Sequence, residues 1–163
     1  MPQRNMSHRR PLIVPALLCL ALAACGGDKP RVAKRLDTPQ EAVSRVGDIT
    51  VRANLVPTAS LNEAVARSYG IERGDRRLML MVSVRKGPEG LETALPATIT
   101  GTVANLHGQR ETLAMREIRS GEYVDYVGAT EVSPPDTLTF DLKIVREGGA
   151  ASTMRFSRDF SAE

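Results

Sequence analysis

Hydrophobic and polar residues alternate along most of the chain from Asp48 to its end. In the segment DITVRANLV, one face of an extended chain would carry Ile49, Val51, Ala53 and Leu55, and the intervening positions are mostly polar. This period of two is typical of a strand with one buried face. The segment RLMLMVSVR is apolar at consecutive positions instead. We therefore expect it to form a central strand that is buried on both faces.

Five more segments have the composition and spacing of strands: PATITGTVANL, QRETLAMREI, EYVDYVGAT, TLTFDLKIV and STMRFSRDF. Residues that favour turns separate them, and His107-Gly108 is placed to form a tight hairpin turn. Strands at short, regular intervals predict an all-β fold for residues 48–163. We expect a single antiparallel, immunoglobulin-like β-sandwich of about seven strands.

The segment SLNEAVARSYGI interrupts this series and has the signals of a short helix. Ser60 and Glu63 have the spacing of a capping box, and Gly70 is placed to end the helix in a left-handed conformation. We expect Leu61 and Val65 to face the sheet.

The first 24 residues have the pattern of an export signal. Arg4, Arg9 and Arg10 precede an uncharged apolar run, residues 11–24, which is shorter than the ~20 residues that a membrane-spanning helix needs. The run ends in Leu-Ala-Ala before Cys25, which resembles the lipobox of bacterial lipoproteins. By this resemblance, the signal is cleaved between Ala24 and Cys25, and Cys25 carries the lipid that anchors the protein in the membrane. An ordinary secretory signal is the alternative.

Residues 25–47 are predicted to form the lipidated cysteine and a flexible tether, because the segment is polar and contains two prolines. Within it, Thr38-Pro39-Gln40-Glu41 has the form of a capping box and predicts a short helix up to about Val46. Gly26 resembles the pattern that sorts lipoproteins to the outer membrane. We therefore expect a lipoprotein that is anchored in the outer membrane and faces the periplasm.

The net charge of the whole chain, +3, would suggest an anionic partner. Residues 1–24 contain three arginines and no acidic residue, so removing them leaves 19 basic and 19 acidic residues. A formally neutral chain has no general attraction for polyanions. We therefore expect no nucleic-acid partner.

Few sequence motifs typical of catalysis are present after residue 24. His107 is the one histidine there, no Gly-x-Ser-x-Gly motif accompanies it, and no glycine-rich phosphate loop precedes a helix. These patterns predict a protein that is not an enzyme and that uses no cofactor or metal. A pair of acidic residues that cleaves sugars stays open, because such pairs are defined by their distance in space.

Two tyrosines are candidate contacts for a partner. Tyr123 and Tyr126 are three positions apart on one predicted strand, so alternation places them on opposite faces. We expect one to pack in the core with its hydroxyl hydrogen-bonded and the other to be accessible.

Several segments, in their order and spacing, resemble a bacterial envelope family, the domain of unknown function family 4426. They are GDITVRANLVPTASL, ARSYGI, LMVSV, TGTVANLHGQ, MREI and YVG. The resemblance covers most of residues 47–160. It implies a small exported β-sandwich of uncharacterised role, and it assigns no catalytic residues. Members of that family typically carry ordinary secretory signals, so the lipobox is a departure from the family pattern.

Two functions from different classes agree with these patterns. The first is a non-catalytic module that binds another envelope protein or assists envelope assembly, with a sheet edge or an exposed tyrosine as its contact. The second is a small-ligand-binding protein or hydrolase at the periplasmic membrane surface. It requires a concave pocket on which polar groups converge.

Overall fold

A computed structural model describes residues 41–161, and ten β-strands make up most of this part of the chain. The strands are β1 (Glu41–Val46), β2 (Ile49–Pro57), β3 (Arg77–Lys86), β4 (Thr93–Ala94), β5 (Ala97–Ala104), β6 (Arg110–Leu113), β7 (Arg116–Ser120), β8 (Tyr123–Glu131), β9 (Asp136–Arg146) and β10 (Ala151–Phe160). A 3₁₀ turn (Thr58–Ser60) and one short α-helix, α1 (Glu63–Ser68), lie between β2 and β3.

The strands form two sheets in which every neighbouring pair is antiparallel. Sheet A has six strands in the order β1-β2-β3-β8-β7, with β4 paired to one end of β3. Sheet B has four strands in the order β10-β9-β5-β6. The edge strands are therefore β1 and β7 in sheet A, and β10 and β6 in sheet B.

The core lies between the two sheets and is built from the alternating residues that the sequence pattern indicates. In β9, the inward residues are almost fully buried, and they are Leu138, Phe140, Leu142 and Ile144. Strand β3 lies in the middle of sheet A, and Leu78, Met79 and Leu80 are buried at consecutive positions. The predicted all-β sandwich with one short helix is confirmed.

The start of the sheet differs from the prediction. Residues 41–46 form strand β1 rather than the end of a helix, so the helix predicted up to about Val46 is wrong. The reason is the turn at Gly47-Asp48, in which Gly47 has a φ of +62° and the chain folds back so that β1 pairs with β2 along its whole length. The sheet thus begins before Asp48. Cys25, its signal and the rest of the tether lie outside the described residues.

The segment QRETLAMREI, predicted as one strand, contributes to both sheets. Strand β6 pairs with β5 in sheet B, and β7 pairs with β8 in sheet A. Leu113, the last residue of β6, is buried in the core. Ala114 and Met115 then carry the chain across to the opposite sheet, where β7 begins. This division and the additional strands β1 and β4 account for ten strands where about seven were predicted.

Helix α1 begins later than predicted. Its N-cap is Asn62, whose side chain accepts a hydrogen bond from the Val65 amide at 2.8 Å, whereas the Ser60 hydroxyl donates to the Pro57 carbonyl. Gly70, at a φ of +55°, follows the helix as expected. The buried residue of the helix is Ala66.

Candidate functional site

The two candidate tyrosines lie on opposite faces of β8, as predicted. Tyr123 is 66% exposed, whereas Tyr126 is only 3% exposed. Tyr126 is consequently a core residue and not an accessible contact, which corrects its place among the candidate partner contacts. Tyr123 keeps that place.

Tyr126 connects the two sheets through its hydroxyl group. The hydroxyl accepts a hydrogen bond from the Ala97 amide, at the start of β5, at 2.7 Å, and donates one to the Glu117 carboxylate on β7 at 3.4 Å. Burial raises the pKa of Tyr126 above its ordinary value of 10.0; the Ala97 hydrogen bond opposes this shift, and the nearby Glu117 charge adds to it. Tyr126 therefore has a structural role.

Tyr123 lies on the outer face of sheet A beside an anchored arginine. The Arg85 guanidinium carbon is 5.4 Å from the centre of the Tyr123 ring, within the range of a cation–π interaction. Arg85 donates hydrogen bonds to the Asp125 carboxylate at 2.8 Å and to the Val124 carbonyl at 3.3 Å, and its side chain is only 14% exposed. We call Arg85, Tyr123 and Asp125 the Tyr123 patch. It presents an exposed aromatic ring on a fixed support.

A groove separates the edge strands β1 and β10, which lie on the same side of the sandwich. It has a volume of about 510 Å³ and is lined by Ala42, Val43, Ser44, Thr153, Met154, Arg155, Phe156 and Arg158. Val43 and Val46 of β1 are both about half exposed, at 49% and 54%. Free strand edges are surfaces on which another strand can pair.

His107 lies in the β5–β6 turn, at the position that the sequence indicates. The turn is closed by the Asn105 side chain, which accepts hydrogen bonds from the amides of His107 and Gln109 at 3.0 and 2.9 Å, and the His107 side chain is exposed. The hairpin at His107-Gly108 is thereby confirmed.

A polar cleft of about 400 Å³ adjoins this turn, and its lining includes His107, Glu111, Thr130 and Asp136. Its buried polar groups already have partners, because Thr130 donates to Glu111 and Asp136 accepts from the amides of Leu106 and Thr137. Among residues 41–161, no group of three or more His, Cys, Asp and Glu side chains is positioned to hold a metal ion. None of the helices in this part of the chain has the length and apolar composition to cross a membrane.

These observations define a small two-sheet β-sandwich with a preorganised aromatic patch and open strand edges. The family model for "Domain of unknown function (DUF4426)" matches residues 43–163, and the chain belongs to this family. A comparison with curated proteins gives no match.

Solved structures share the fold. A DUF4426 family protein from Pseudomonas aeruginosa PAO1 is 24% identical, with a TM-score of 0.66 over 76% of this chain and 97% of that one. FetP from uropathogenic E. coli, recombinantly expressed in the periplasm of E. coli, is 11% identical, with a TM-score of 0.56 over 76% of this chain and 95% of FetP. A copper-bound variant of FetP is 12% identical, with a TM-score of 0.50 over 75% of this chain and 94% of the variant.

Proposed function

We propose that this protein is a non-catalytic interaction module of the bacterial cell envelope. In this proposal, lipid on Cys25 holds it at the membrane, facing the periplasm, and the Tyr123 patch binds another envelope protein. The observation that carries the proposal is the exposure of Tyr123, 66%, on an arginine that is itself fixed by two hydrogen bonds.

Tyrosine and arginine are among the residue types enriched at the few positions that dominate the binding energy of protein interfaces. A side chain that is already ordered loses little conformational entropy on binding. Because Asp125 pairs with the Arg85 charge, the patch offers a flat aromatic surface without an unpaired cation. We expect the partner to cover the ring with an apolar or aromatic side chain and to accept a hydrogen bond from the Tyr123 hydroxyl.

The location in the envelope is supported by the lipobox-like segment Leu22-Ala23-Ala24-Cys25 and the export pattern before it. The expression of FetP in the periplasm, a protein of the same fold, agrees with it. Gly26 supports sorting to the outer membrane.

The test is crosslinking in cells followed by affinity capture from the membrane fraction. The unmodified protein is compared with the Tyr123→Ala and Cys25→Ala variants, and Leu106→Ala serves as the matched control because Leu106 is similarly exposed, at 63%, in the β5–β6 turn. We expect one dominant envelope protein, whose recovery falls roughly tenfold or more with Tyr123→Ala. Leu106→Ala should leave it unchanged, and Cys25→Ala should lower it. Equal recovery with Tyr123→Ala would contradict the role of the patch.

A second candidate function, binding of a small polar ligand, is favoured by the cleft of about 400 Å³ beside His107. It is tested by measuring thermal stabilisation of the protein by sugars and short peptides. Arg110 also lines the cleft. A ligand bound there should lose its effect with Arg110→Ala and keep it with Tyr123→Ala, which is the reverse of the result expected for the first function.

A further inference from the structure

Within residues 41–161, strand β1 pairs on one side only, with β2. The two-residue turn at Gly47-Asp48 makes Val46 and Ile49 the closing pair of the hairpin, and such a pair exchanges both backbone hydrogen bonds. Because bonded and non-bonded pairs alternate along an antiparallel ladder, the backbone groups of Glu41, Val43 and Arg45 point away from β2. These groups form a free edge with the bonding pattern of another antiparallel strand.

The charges along this edge are self-complementary. Glu41, Val43 and Arg45 alternate with the inward residues of β1, so their side chains share the outer face of sheet A. If a second β1 ran antiparallel with Val43 opposite its own copy, each Glu41 would lie opposite an Arg45. The half-exposed valines would meet at the centre. Opposite charges and apolar side chains are favourable cross-strand pairs.

We infer that β1 pairs with β1 of a second copy of this chain, so that sheet A continues through a two-fold axis at Val43.

Other registers are less favourable. An axis at Glu41 or at Arg45 would place two like charges directly opposite one another, which is destabilising. An axis at Ala42 or Ser44 would place Val43 opposite a charged residue. A shift by one residue would turn the outward face of one strand toward the core face of the other. The axis at Val43 alone pairs both charges and both valines.

The present contacts of these charges do not oppose the pairing. Arg45 pairs with Glu89 at 3.0 Å, but the two side chains are 54% and 74% exposed, and exposed pairs of this kind contribute little. Glu41 accepts a hydrogen bond from Asn54 at 3.2 Å on the same exposed surface. In the part of the chain that the structure describes, its second carboxylate oxygen makes no hydrogen bond and is available to an arginine of the second copy.

The neighbouring edge favours the same occupant. Strand β10 lies beside β1 across the groove, and a two-fold axis perpendicular to sheet A would bring the two β10 strands side by side. Because β10 is the edge strand of sheet B, its outer side would face the second copy as well.

The first test places a cysteine on the proposed axis in the full-length chain, expressed in its own envelope. Val43→Cys should give a disulfide-linked dimer on mild oxidation, because directly opposite residues of a bonded pair have Cα atoms ~5.5 Å apart, within the range for a disulfide. Val46→Cys is the matched control, since Val46 is equally exposed (54% against 49%) but lies away from the axis. It should give no dimer.

The second test reverses the charges in the Val43→Cys background. Glu41→Arg and Arg45→Glu alone should each lower the association constant of the dimer by roughly tenfold. The double variant should restore the dimer, which also shows that the reversed chains fold. Three results would overturn the inference: no Val43→Cys dimer, a crosslink to a different protein, or a dimer whose amount does not change with either charge reversal. Capture through the Tyr123 patch should persist in Glu41→Arg, so this proposal and the proposed function fail separately.

Discussion

Tyr126 places a polar atom inside an apolar core, and its two hydrogen bonds explain why this is tolerated. The hydroxyl satisfies the Ala97 amide at the first residue of β5, while the ring fills space between the sheets. Tyr123, three positions earlier, has the opposite environment because alternation turns it outward. One strand therefore supplies both a link between the sheets and an exposed contact residue.

Removing the Tyr126 hydroxyl should destabilise the fold. Tyr126→Phe leaves the Ala97 amide without its partner, and an unsatisfied buried donor costs about 1–3 kcal/mol. We expect the free energy of unfolding, measured with urea, to fall by about that amount. Tyr123→Phe is the control and should change it by less than about 0.5 kcal/mol. Equal effects of the two variants would show that the hydroxyl bonds of Tyr126 are unimportant.

The raised pKa of Tyr126 predicts a loss of stability at high pH. The protonated hydroxyl is favoured in the folded state, so its contribution is fully present below the ordinary pKa of 10.0. It is lost as the pH rises through the higher folded value. Titration followed by tyrosinate absorbance should show an ionisation above pH 10.0 that is absent from Tyr126→Phe. An unchanged titration curve would contradict this assignment.

Among the elements, the segment between β3 and β4 is held to sheet A by an ion pair. Arg52 on β2 and Glu92 before β4 approach to 3.4 Å, and their side chains are only 22% and 16% exposed. The second terminal nitrogen of Arg52 is buried and has no hydrogen-bond partner among the described residues. The pair fixes the segment, but its desolvation is costly.

Removing one charge of this pair should therefore affect stability differently from replacing both charges with apolar residues. Glu92→Gln leaves the Arg52 charge poorly compensated and should destabilise the fold by about 1–3 kcal/mol. The double variant Arg52→Met with Glu92→Leu should be neutral or more stable, because it removes both partly buried charges. Glu89→Gln, in the exposed pair with Arg45, is the control with no measurable change. Thermal unfolding of the four proteins distinguishes these outcomes, and a destabilised double variant would contradict the argument.

The elements that the sequence predicts best are those whose core burial agrees with their local pattern. Strand β9 alternates along its whole length, and β3 is apolar on both faces, so both were predictable. Strand β1 was not, because a polar edge strand has weak alternation and the capping-box pattern that ends at Glu41 favours a helix. The Gly47-Asp48 turn was the signal available for it.

The candidate site was also only partly predictable from the sequence. Alternation alone assigns Tyr123 and Tyr126 to opposite faces, but not which of the two faces outward. The support of Tyr123 by Arg85 depends on how β3 and β8 align across sheet A, with Ser83 opposite Asp125. Such a register joins residues about forty positions apart in the chain. It is fixed by the packing of the whole sheet rather than by any local signal.

In the whole molecule, the proposed contacts occupy different parts of sheet A. The Tyr123 patch lies on its outer face, at the start of β8, whereas the self-pairing surface is the free edge at β1. Strands β2 and β3 separate β1 from β8. A dimer through β1 would therefore leave both patches accessible and would present two of them. Two linked sites bind a repeated partner more tightly than either site alone.

Anchoring by lipid would also promote the dimer. Chains confined to one membrane surface meet at a higher effective concentration than chains that diffuse through the whole compartment. An edge of six residues, with two charge pairs and one valine pair, is a small interface that should depend on this concentration.

We expect the Val43→Cys dimer fraction to fall several-fold when Cys25→Ala is added, at matched protein levels. The measurement is the ratio of dimer to monomer on non-reducing gels of the envelope fraction. An unchanged ratio would show that pairing is strong without the anchor. A fall confined to Cys25→Ala, with the Glu41→Arg and Arg45→Glu double variant still dimeric, would assign the effect to membrane confinement rather than to the strand itself.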